Sequence, residues 1–436
     1  MTKLNEVLPT KSATVEAIES YWKQRGDSEP TRGYLGGSAI GKECSRELWY
    51  SFRFATKPNF DGRLYRLFNR GHREENTFVE ELRGIGCEVH EFDADGNQFE
   101  VIDCDGHFKG HTDGAALGIP EAPKTWHLLE MKTASNSQFN KIKKEGCEVA
   151  KPEHFAQQQV YMRGTGLTRS LYMVVNKDTD ELYTERLRYD AKCAQSYIDK
   201  ASYIIDATTP PEKADTLPKE GERAKYGSPC TYCDAKALCH GTTETAVAVP
   251  DLSCRQCCHA TPMSDGKWAC KANGDAINVC KDHLFLPGFI NFAQPTDSLK
   301  NPDGSLAIEF TSDDGTVWQH GPDANAGQYS SHDLMTLPRS LILPGVAKPA
   351  PVEGVTGPNL EARYALTLDN VVRVWSGSVE DLLDVFTDHY HVPMSNPNAE
   401  QEGDGWSAAE FAPHCCVIVY GGGTKAEIRE DGNIPN

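Results

Sequence analysis

A carboxylate and an ammonium group lie close together in a segment that otherwise has the composition of a buried strand. In TWHLLEMKTAS, residues 125–135, Glu130 and Lys132 alternate with Leu129 and Met131. Because side chains alternate between the two faces of a strand, we expect Glu130 and Lys132 on one face and the apolar pair on the other. Two charged side chains on a core strand call for a function that uses them.

Two further acids can join this strand. Asp113, in GHTDGAA, lies seventeen residues before Glu130, a separation that two adjacent antiparallel strands and their connection can close. Glu75 falls on the apolar stripe of a helix that we predict over roughly 62–84. A core-facing carboxylate is costly unless it is paired or binds a cation. A salt bridge from Glu75 to a neighbouring arginine is the simpler alternative.

The chemistry that these residues could perform is phosphoryl transfer assisted by a hard cation. Asp113 and Glu130 would hold Mg²⁺ or Mn²⁺ through oxygen atoms, and water and a substrate phosphate would complete the octahedron. Lys132 would orient or deprotonate the attacking water and stabilise negative charge at phosphorus. Gln157 and Tyr161, four residues apart on a predicted helix, could contact a nucleic-acid backbone from one helical face.

The elements that must position these residues alternate between helices and strands, which indicates an α/β or α+β sheet domain. Besides the strand and the helix described above, we predict a helix near 14–24, short strands and hairpins over 90–114, a helix in PEHFAQQQVYMRG and a buried strand in SLYMVVNK. Beyond residue 296 the pattern predicts a helix in SVEDLLDVFTDHYH and a strand in CCVIVYGGG.

The order Glu75, Asp113, Glu130-Met131-Lys132 and Gln157-xxx-Tyr161 resembles the PD-(D/E)XK nuclease superfamily, in particular its RecB-like exonuclease branch. The resemblance covers about residues 35–240 and implies a central mixed sheet flanked by helices. It also implies catalytic roles for Lys132, Glu130, Asp113 and Glu75. Many relatives carry a histidine four residues after a helix glycine, where this chain has Glu75 after Gly71, and His72 would be the fallback ligand.

The first cysteine cluster has a spacing that suits a metal. Cys230, Cys233 and Cys239 form C-x2-C-x5-C, and Cys44 is a remote fourth thiol. Four thiolates suit either tetrahedral zinc or a four-iron cluster, and spacing alone does not choose. One cysteine before the nuclease core and three after it resembles the iron-sulfur staple of AddB and CRISPR-adaptation nucleases. That resemblance implies a 4Fe–4S cluster that fastens the two ends of the domain.

The second cysteine cluster suggests a zinc ribbon or knuckle. Two short pairs of metal-ligating residues, Cys254-x2-Cys257 and Cys280-x2-His283, flank a glycine-containing hairpin. A small region with few large apolar residues would need a bound metal ion to stabilise it. The candidate ligands are Cys254, Cys257, Cys270, Cys280 and His283, and among them Cys270 competes with Cys258 and His259. Buried thiols are the better interpretation for the remaining cysteines that we considered, Cys87, Cys147, Cys193, Cys415 and Cys416.

Charge and composition restrict the cellular setting. The chain has 436 residues and a formal net charge of −19, of which −5 falls within residues 1–250 and −14 within 251–436. The near-neutral first part can still present a basic groove. The absence of a long apolar run or a signal-peptide pattern predicts a cytoplasmic protein with no membrane partner. Fifteen cysteines in a reducing compartment favour metal ligands or buried thiols over disulfides.

These observations predict three domains: a nuclease domain with its iron-sulfur staple at 1–245, a zinc-binding module at 246–295 and an acidic α+β domain at 296–436. We expect a Mg²⁺- or Mn²⁺-dependent deoxyribonuclease that digests DNA from its ends, of the kind that phages use for recombination, with a single-strand annealing or binding protein as a possible partner. One alternative is an endonuclease that trims DNA ends in CRISPR adaptation. Another is a non-catalytic DNA- or partner-binding module on a nuclease scaffold.

Overall fold

The computed structural model describes residues 12–215, 228–275, 278–322, 327–339 and 342, together with the backbone of strands between 363 and 429. The chain divides into two compact units. The first comprises residues 1–236 and 260–275, and the second comprises 237–259 and 276–436. The predicted division into three domains stays a prediction.

The first unit contains a mixed sheet with helices on both faces. Its helices are α1 (Ala13–Asp27), α2 (Ser45–Phe52), α3 (Gly62–Gly84), α4 (Asn136–Ala150), α5 (Pro152–Thr165) and α6 (Ala191–Asp206). Its strands are β1 (Leu35–Gly36), β2 (Glu88–His90), β3 (Glu100–Asp103), β4 (Phe108–His111), β5 (Ala115–Leu117), β6 (His127–Ala134), β7 (Arg169–Asn176), β8 (Leu182–Arg188), β9 (Ala260–Pro262), β10 (Trp268–Cys270) and β11 (Gly274–Asp275).

The central sheet has the order β2-β5-β6-β7-β8, in which β6 and β7 are parallel and the other neighbours are antiparallel. Smaller sheets have the orders β1-β4-β3 and β11-β10-β9. The predicted α+β class, with a central mixed sheet flanked by helices, is confirmed. The helix predicted over 62–84 is also confirmed, because α3 has these bounds.

Each face of the central sheet packs against its own helices. Leu129 and Met131 of β6 are buried with Leu171, Met173 and Val175 of β7, and α3 covers them through Phe78, Val79 and Leu82. On the other face, α4 contributes Phe139, Ile142 and Cys147 to a cluster with Ala134, Tyr172 and Val174. At about 2 kcal/mol for each large apolar side chain buried, the last turns of α3 are firmly attached to the sheet.

The beginning of α3 is positioned differently. The side chain of Asp61 caps the helix by accepting a hydrogen bond from the Leu64 backbone N–H at 2.7 Å. Gly62 is buried against Glu19 of α1, but the other buried residues of α3 all follow Glu75. Phe68 lies seven residues before Glu75, so the helical period puts it on the same apolar stripe, yet it is 44% exposed. The stripe is therefore buried only in its later part, because α3 reaches the sheet only beyond Glu75.

The second unit is described in two parts. One part has the sheet order β12-β13-β14-β15, formed by β12 (Ala293–Lys300), β13 (Leu306–Ser312), β14 (Val317–His320) and β15 (Gln328–Tyr329), followed by α8 (Ser331–Thr336). The other has the order β17-β16-β20-β19-β18, formed by β16 (Arg363–Leu368), β17 (Val371–Ser376), β18 (Trp406–Ala412), β19 (Cys415–Tyr420) and β20 (Lys425–Arg429). Helix α7 (Lys236–His240) spans the boundary between the units in sequence.

Two expectations for the last residues have different outcomes. The strand predicted in CCVIVYGGG is confirmed as β19. The helix predicted in SVEDLLDVFTDHYH lies outside the described residues, as do the side chains of Cys415 and Cys416. Within the described part of the chain, every helix is too short or too polar to span a bilayer.

Candidate active site

The centre of the candidate site is the charged face of β6. Glu130 is fully buried, while the Lys132 side chain keeps 26% of its surface exposed. The Lys132 Nζ atom lies 2.6 Å from Glu130 Oε1 and 3.6 Å from Asp113 Oδ2. The predicted convergence of these three residues is therefore present in the structure.

Antiparallel pairing of β5 with β6 brings Asp113 to this point. Ala115 pairs with Leu128, so that the residues just before β5 lie beside the middle of β6. The Asp113 carboxylate accepts a hydrogen bond from the Met131 backbone N–H at 2.8 Å. That bond fixes Asp113 against the strand that carries Glu130 and leaves its other carboxylate oxygen available for a cation.

Glu75 completes the acidic group from α3. Its side chain is 33% exposed and lies 3.5 Å from the 74%-exposed His72 ring. Burial raises the pKa of Glu75, and the negative charge of Asp113 raises it further. The simpler alternative of an arginine salt bridge is not what the structure contains, since the described ion pair of Glu75 is with His72.

The electrostatics of the site follow from burying like charges together. Burial, with the nearby charge of Asp113, raises the pKa of Glu130 to about 7, although Lys132 opposes the rise. Burial acts to lower the pKa of Lys132, but the Asp113 and Glu130 carboxylates outweigh it and raise that pKa overall. Three acids around one ammonium leave an excess of negative charge that a divalent cation can neutralise.

The carboxylate of Glu130 has room for such a cation. Among the described residues, its Oε1 atom contacts the Lys132 ammonium at 2.6 Å, and its Oε2 atom has no hydrogen-bond partner. Buried carboxylate oxygens otherwise have several partners, and oxygen ligands are what Mg²⁺ and Mn²⁺ prefer. In the described residues no three His, Cys, Asp or Glu side chains already stand at metal-binding spacing. The Lys132 ammonium lies 2.6 Å from Glu130 and 3.6 Å from Asp113.

Helix α5 forms another side of the site. The sequence predicted that Gln157 and Tyr161 contact a nucleic-acid backbone, and the structure places both in buried positions, 6% and 2% exposed. Burial and the charge of Glu130 raise the pKa of Tyr161, so this ring lies close to the acidic group. Tyr161 packs against Gly37 and Gly110, where a Cβ atom would overlap its ring.

Two residues of this region were missed by sequence reasoning. Tyr172 is the β7 partner of Glu130 and is fully buried. Its hydroxyl is hydrogen-bonded to His154 Nδ1 at 2.8 Å. Burial, helped by the positive charge of Lys132, lowers the pKa of His154 to about 3. The sequence contains a signal for Tyr172. In SLYMVVNK it lies two residues before Val174 and therefore on the same face of the strand, and Val174 pairs with Lys132.

Three of the four cysteines predicted for the first cluster belong to the first unit. Cys44 precedes α2, and Cys230 lies on a short 3-10 turn, Pro229–Tyr232, directly before Cys233. Burial raises the pKa of Cys233 to about 11, and the neighbouring Glu47, Cys44 and Cys230 act in the same direction. These three cysteines therefore lie near one another in the first unit. Cys239, on α7, is assigned to the second unit.

The candidate zinc ligands are distributed differently. Cys270 lies on β10 of the first unit, whereas Cys254, Cys257, Cys280 and His283 belong to the second. His283 is buried, and its ring nitrogens are hydrogen-bonded to Ser331 Oγ at 2.8 Å and to the Ser253 carbonyl at 3.0 Å. His283 would have to give up one of these bonds to hold a metal ion, so the zinc site stays a prediction.

The expectation of buried thiols is confirmed for Cys87 and Cys147. Cys193 is only half-buried.

Comparisons with known proteins give limited information. No family model matches the chain, and no curated protein matches its sequence. The solved structure of SSO0001 is 13% identical and aligns over 52% of this chain and 96% of its own, with a TM-score of 0.32. An alkaline exonuclease from Laribacter hongkongensis, LHK-Exo, is 17% identical over 42% of this chain and 90% of its own. Its TM-score is 0.30, and its complex with dAMP, at 18% identity, gives the same score. Scores of this size carry no functional argument, so the conclusion depends on the site itself.

Proposed function

We propose that this protein is a metal-dependent deoxyribonuclease that hydrolyses phosphodiester bonds from DNA ends. The observation that carries the proposal is the Glu130 side chain, which is fully buried beside Asp113 and Glu75 and whose carboxylate meets only the Lys132 ammonium among the described residues, 2.6 Å from Oε1. Burying a carboxylate is costly, and one ammonium does not satisfy both of its oxygens. A cation at the free side of the carboxylate would supply the missing partner.

Each residue of the site would have its own role in hydrolysis. Asp113 and Glu130 would hold Mg²⁺ or Mn²⁺, and Glu75 would serve as a further ligand or as an acid behind them. The bound cation supplies Lewis-acid activation of water and neutralises charge on the phosphate. Lys132 lies within reach of the same point and would orient or deprotonate the attacking water. Gln157 and Tyr161 would limit the space available to the scissile phosphate from α5.

The cysteine sites belong to the same proposal. Cys44, Cys230, Cys233 and Cys239 would bind a 4Fe–4S cluster that fastens the start of the nuclease region to its end. The proximity of the first three supports this assignment. Replacing Cys233 with Ser should remove the iron and lower both the melting temperature and DNA cleavage. A Cys233→Ser protein with unchanged iron content would contradict the assignment.

The test of the nuclease uses linear DNA labelled separately at its 5′ and 3′ ends, beside a circular single-stranded control, with Mg²⁺ or Mn²⁺. We expect end-dependent loss of label from linear DNA and none from the circle. The Lys132→Ala variant should bind DNA without cutting it, while Lys124→Ala, at an exposed position, should cut normally.

Other outcomes assign the protein to another class. Cleavage of the circle would favour the end-trimming endonuclease. Binding without cleavage by the intact protein would favour a non-catalytic module on a nuclease scaffold. Normal cleavage by Lys132→Ala would overturn the mechanism.

A further inference from the structure

Four arginines form a continuous stripe along the first half of α3. Arg63, Arg66, Arg70 and Arg73 follow one another at steps of three and four, which places them on one helical face. Arg63, Arg66 and Arg73 are exposed, and Arg70 is half-buried. We call these four residues the arginine stripe. At 1.5 Å per residue the stripe is about 15 Å long.

This distribution of charge runs against what would stabilise the helix. The positive end of the helix dipole favours acidic residues in the first turn, yet beyond the Asp61 cap α3 has none there, and Gly62 is followed directly by Arg63. The acidic residues Glu74, Glu75, Glu80 and Glu81 all follow the stripe. The arginines of the stripe therefore gain nothing from the helix dipole, which favours the opposite order of charges.

The stripe also has few partners within the protein. Arg63 lies 3.9 Å from Asp61, and Arg70 lies 3.8 Å from Glu74. Arg66 and Arg73 have no ion pair among the described residues. A solvated helix face ordinarily mixes lysine with glutamate at i,i+4 spacing. Four arginines with so little internal pairing are suited to an external anion, because guanidinium binds phosphate with two parallel hydrogen bonds.

A chain of backbone contacts connects the stripe to the candidate active site. Arg70 Nη2 donates to the Lys177 carbonyl at 3.1 Å, and the Lys177 N–H donates to the Ala134 carbonyl at 2.9 Å. Ala134 lies on β6 two residues after Lys132 and on the same face. Arg70 therefore connects the stripe to the carboxyl end of β6, two residues beyond Lys132.

We propose that the arginine stripe is a binding track for the phosphodiester backbone of DNA, which it guides to the Glu130 site. This inference rests on the proposed nuclease function and adds the surface that engages substrate beyond the scissile bond. Phosphates of one strand follow one another at about 3.4 Å along a duplex axis, so a track of about 15 Å faces about four of them. Four guanidinium groups over that length match this number.

The test measures binding of a fluorescein-labelled DNA duplex to the full chain by anisotropy, in EDTA so that no DNA is cut, over a series of salt concentrations. The variant is Arg66→Ala/Arg73→Ala, which removes the two exposed side chains that have no ion pair within the described residues. The matched control is Lys124→Ala/Lys192→Ala, which removes the same charge from exposed positions outside the stripe. Thermal unfolding of both variants should equal that of the unmodified protein.

We expect the stripe variant to bind at least about tenfold more weakly than the control at low salt. For each arginine that no longer neutralises a phosphate, the slope of log K against log salt should fall by about 0.9, which gives about 1.8 for the two substitutions. In Mg²⁺ the variant should have a raised KM and an unchanged kcat, because the stripe holds DNA and does not touch the reacting phosphate.

The failures of the two proposals can be distinguished. If the unmodified protein cuts DNA but the stripe variant binds DNA like its control, the proposed binding track is wrong and the nuclease proposal is unaffected. If the stripe variant loses kcat at saturating DNA with an unchanged KM, the track is also wrong, since the effect would then lie in the chemical step. If the unmodified protein neither binds nor cuts DNA, the nuclease proposal fails first and the track fails with it.

Discussion

In the first unit, Glu130 is fully buried and its carboxylate meets only the Lys132 ammonium among the described residues, through Oε1, whereas in the second unit the equally buried His320 uses both ring nitrogens in hydrogen bonds. His320 Nε2 accepts from the Phe285 N–H at 2.9 Å, and Nδ1 contacts the Tyr329 carbonyl at 2.8 Å. This pattern requires the neutral ring with its proton on Nδ1. A buried polar group with all its partners belongs to the architecture, and one without them marks a site that binds something else.

The strongest test of this contrast is Glu130→Gln. It removes a buried charge and a proposed metal ligand together, so we expect DNA cleavage to fall by about 10³-fold or more while the melting temperature does not fall. The matched control is Glu185→Gln on β8, because Glu185 accepts hydrogen bonds from the Cys147 N–H at 2.8 Å and from the Tyr183 hydroxyl at 3.1 Å. That variant should keep its activity and lose about 1 kcal/mol of stability. A Glu130→Gln protein that is less stable than Glu185→Gln would remove the distinction between a carboxylate held by several hydrogen bonds and one that is not.

The stability of the second unit should depend on pH in the range where its buried His320 takes up a proton. Burial lowers the pKa of His320 from 6.5 to about 4, so the unfolded chain takes up a proton more readily than the folded one. The stability that depends on neutral His320 is complete above about pH 6.5 and is lost as the pH falls towards 4. The loss amounts to about 3 kcal/mol.

Hydrogen exchange at the β13 and β14 amides, compared at about pH 7.5 and about pH 5 after correction for intrinsic rates, measures this effect. The His320→Gln variant should lose most of the pH dependence, while His332→Gln, which replaces an exposed histidine of the same unit, should retain it. Equal pH dependence in both variants would show that His320 is not its source.

Tyr161 tests whether the site depends on packing as well as on charge. Gly110→Ala would place a Cβ atom inside the Tyr161 ring, so the ring must move. We expect a loss of about 1–3 kcal/mol of stability together with weaker cleavage. Thermal unfolding and the cleavage assay, run on the same preparation, would measure both. Full activity in a destabilised Gly110→Ala protein would show that Tyr161 does not shape the site.

The smallest effect should come from the same substitution at another glycine of the first unit. Gly71 lies within α3, and a Cβ atom there would meet no other atom within 4 Å. Because alanine loses less conformational entropy than glycine in a helix, Gly71→Ala should raise stability by about 0.5–1 kcal/mol and leave cleavage unchanged. A destabilised Gly71→Ala protein in urea unfolding would mean that this segment of α3 meets a surface beyond the atoms described.

The local features of this protein can be read from the amino-acid sequence alone. The period of two in HLLEMKTA fixed which side chains of β6 share a face, and the period of 3.6 fixed the extent of α3, because both depend only on backbone geometry. The type of each residue was equally informative, since Glu130 and Lys132 on an otherwise apolar strand demanded an explanation. The α+β class, the core strands and the set of acidic residues could all be predicted in this way.

The tertiary structure decided where these elements meet. It showed that α3 reaches the sheet only beyond Glu75, which left Phe68 exposed, and that Tyr172 lies beside Glu130 through the parallel pairing of β6 with β7. It also assigned Cys270 to one unit and His283 to the other, which the linear spacing of the cysteines could not reveal. Strand order, helix placement and the partners of a buried histidine depend on contacts between residues far apart in sequence. A local pattern carries no information about such contacts, because many arrangements of the same elements satisfy the same periodicity.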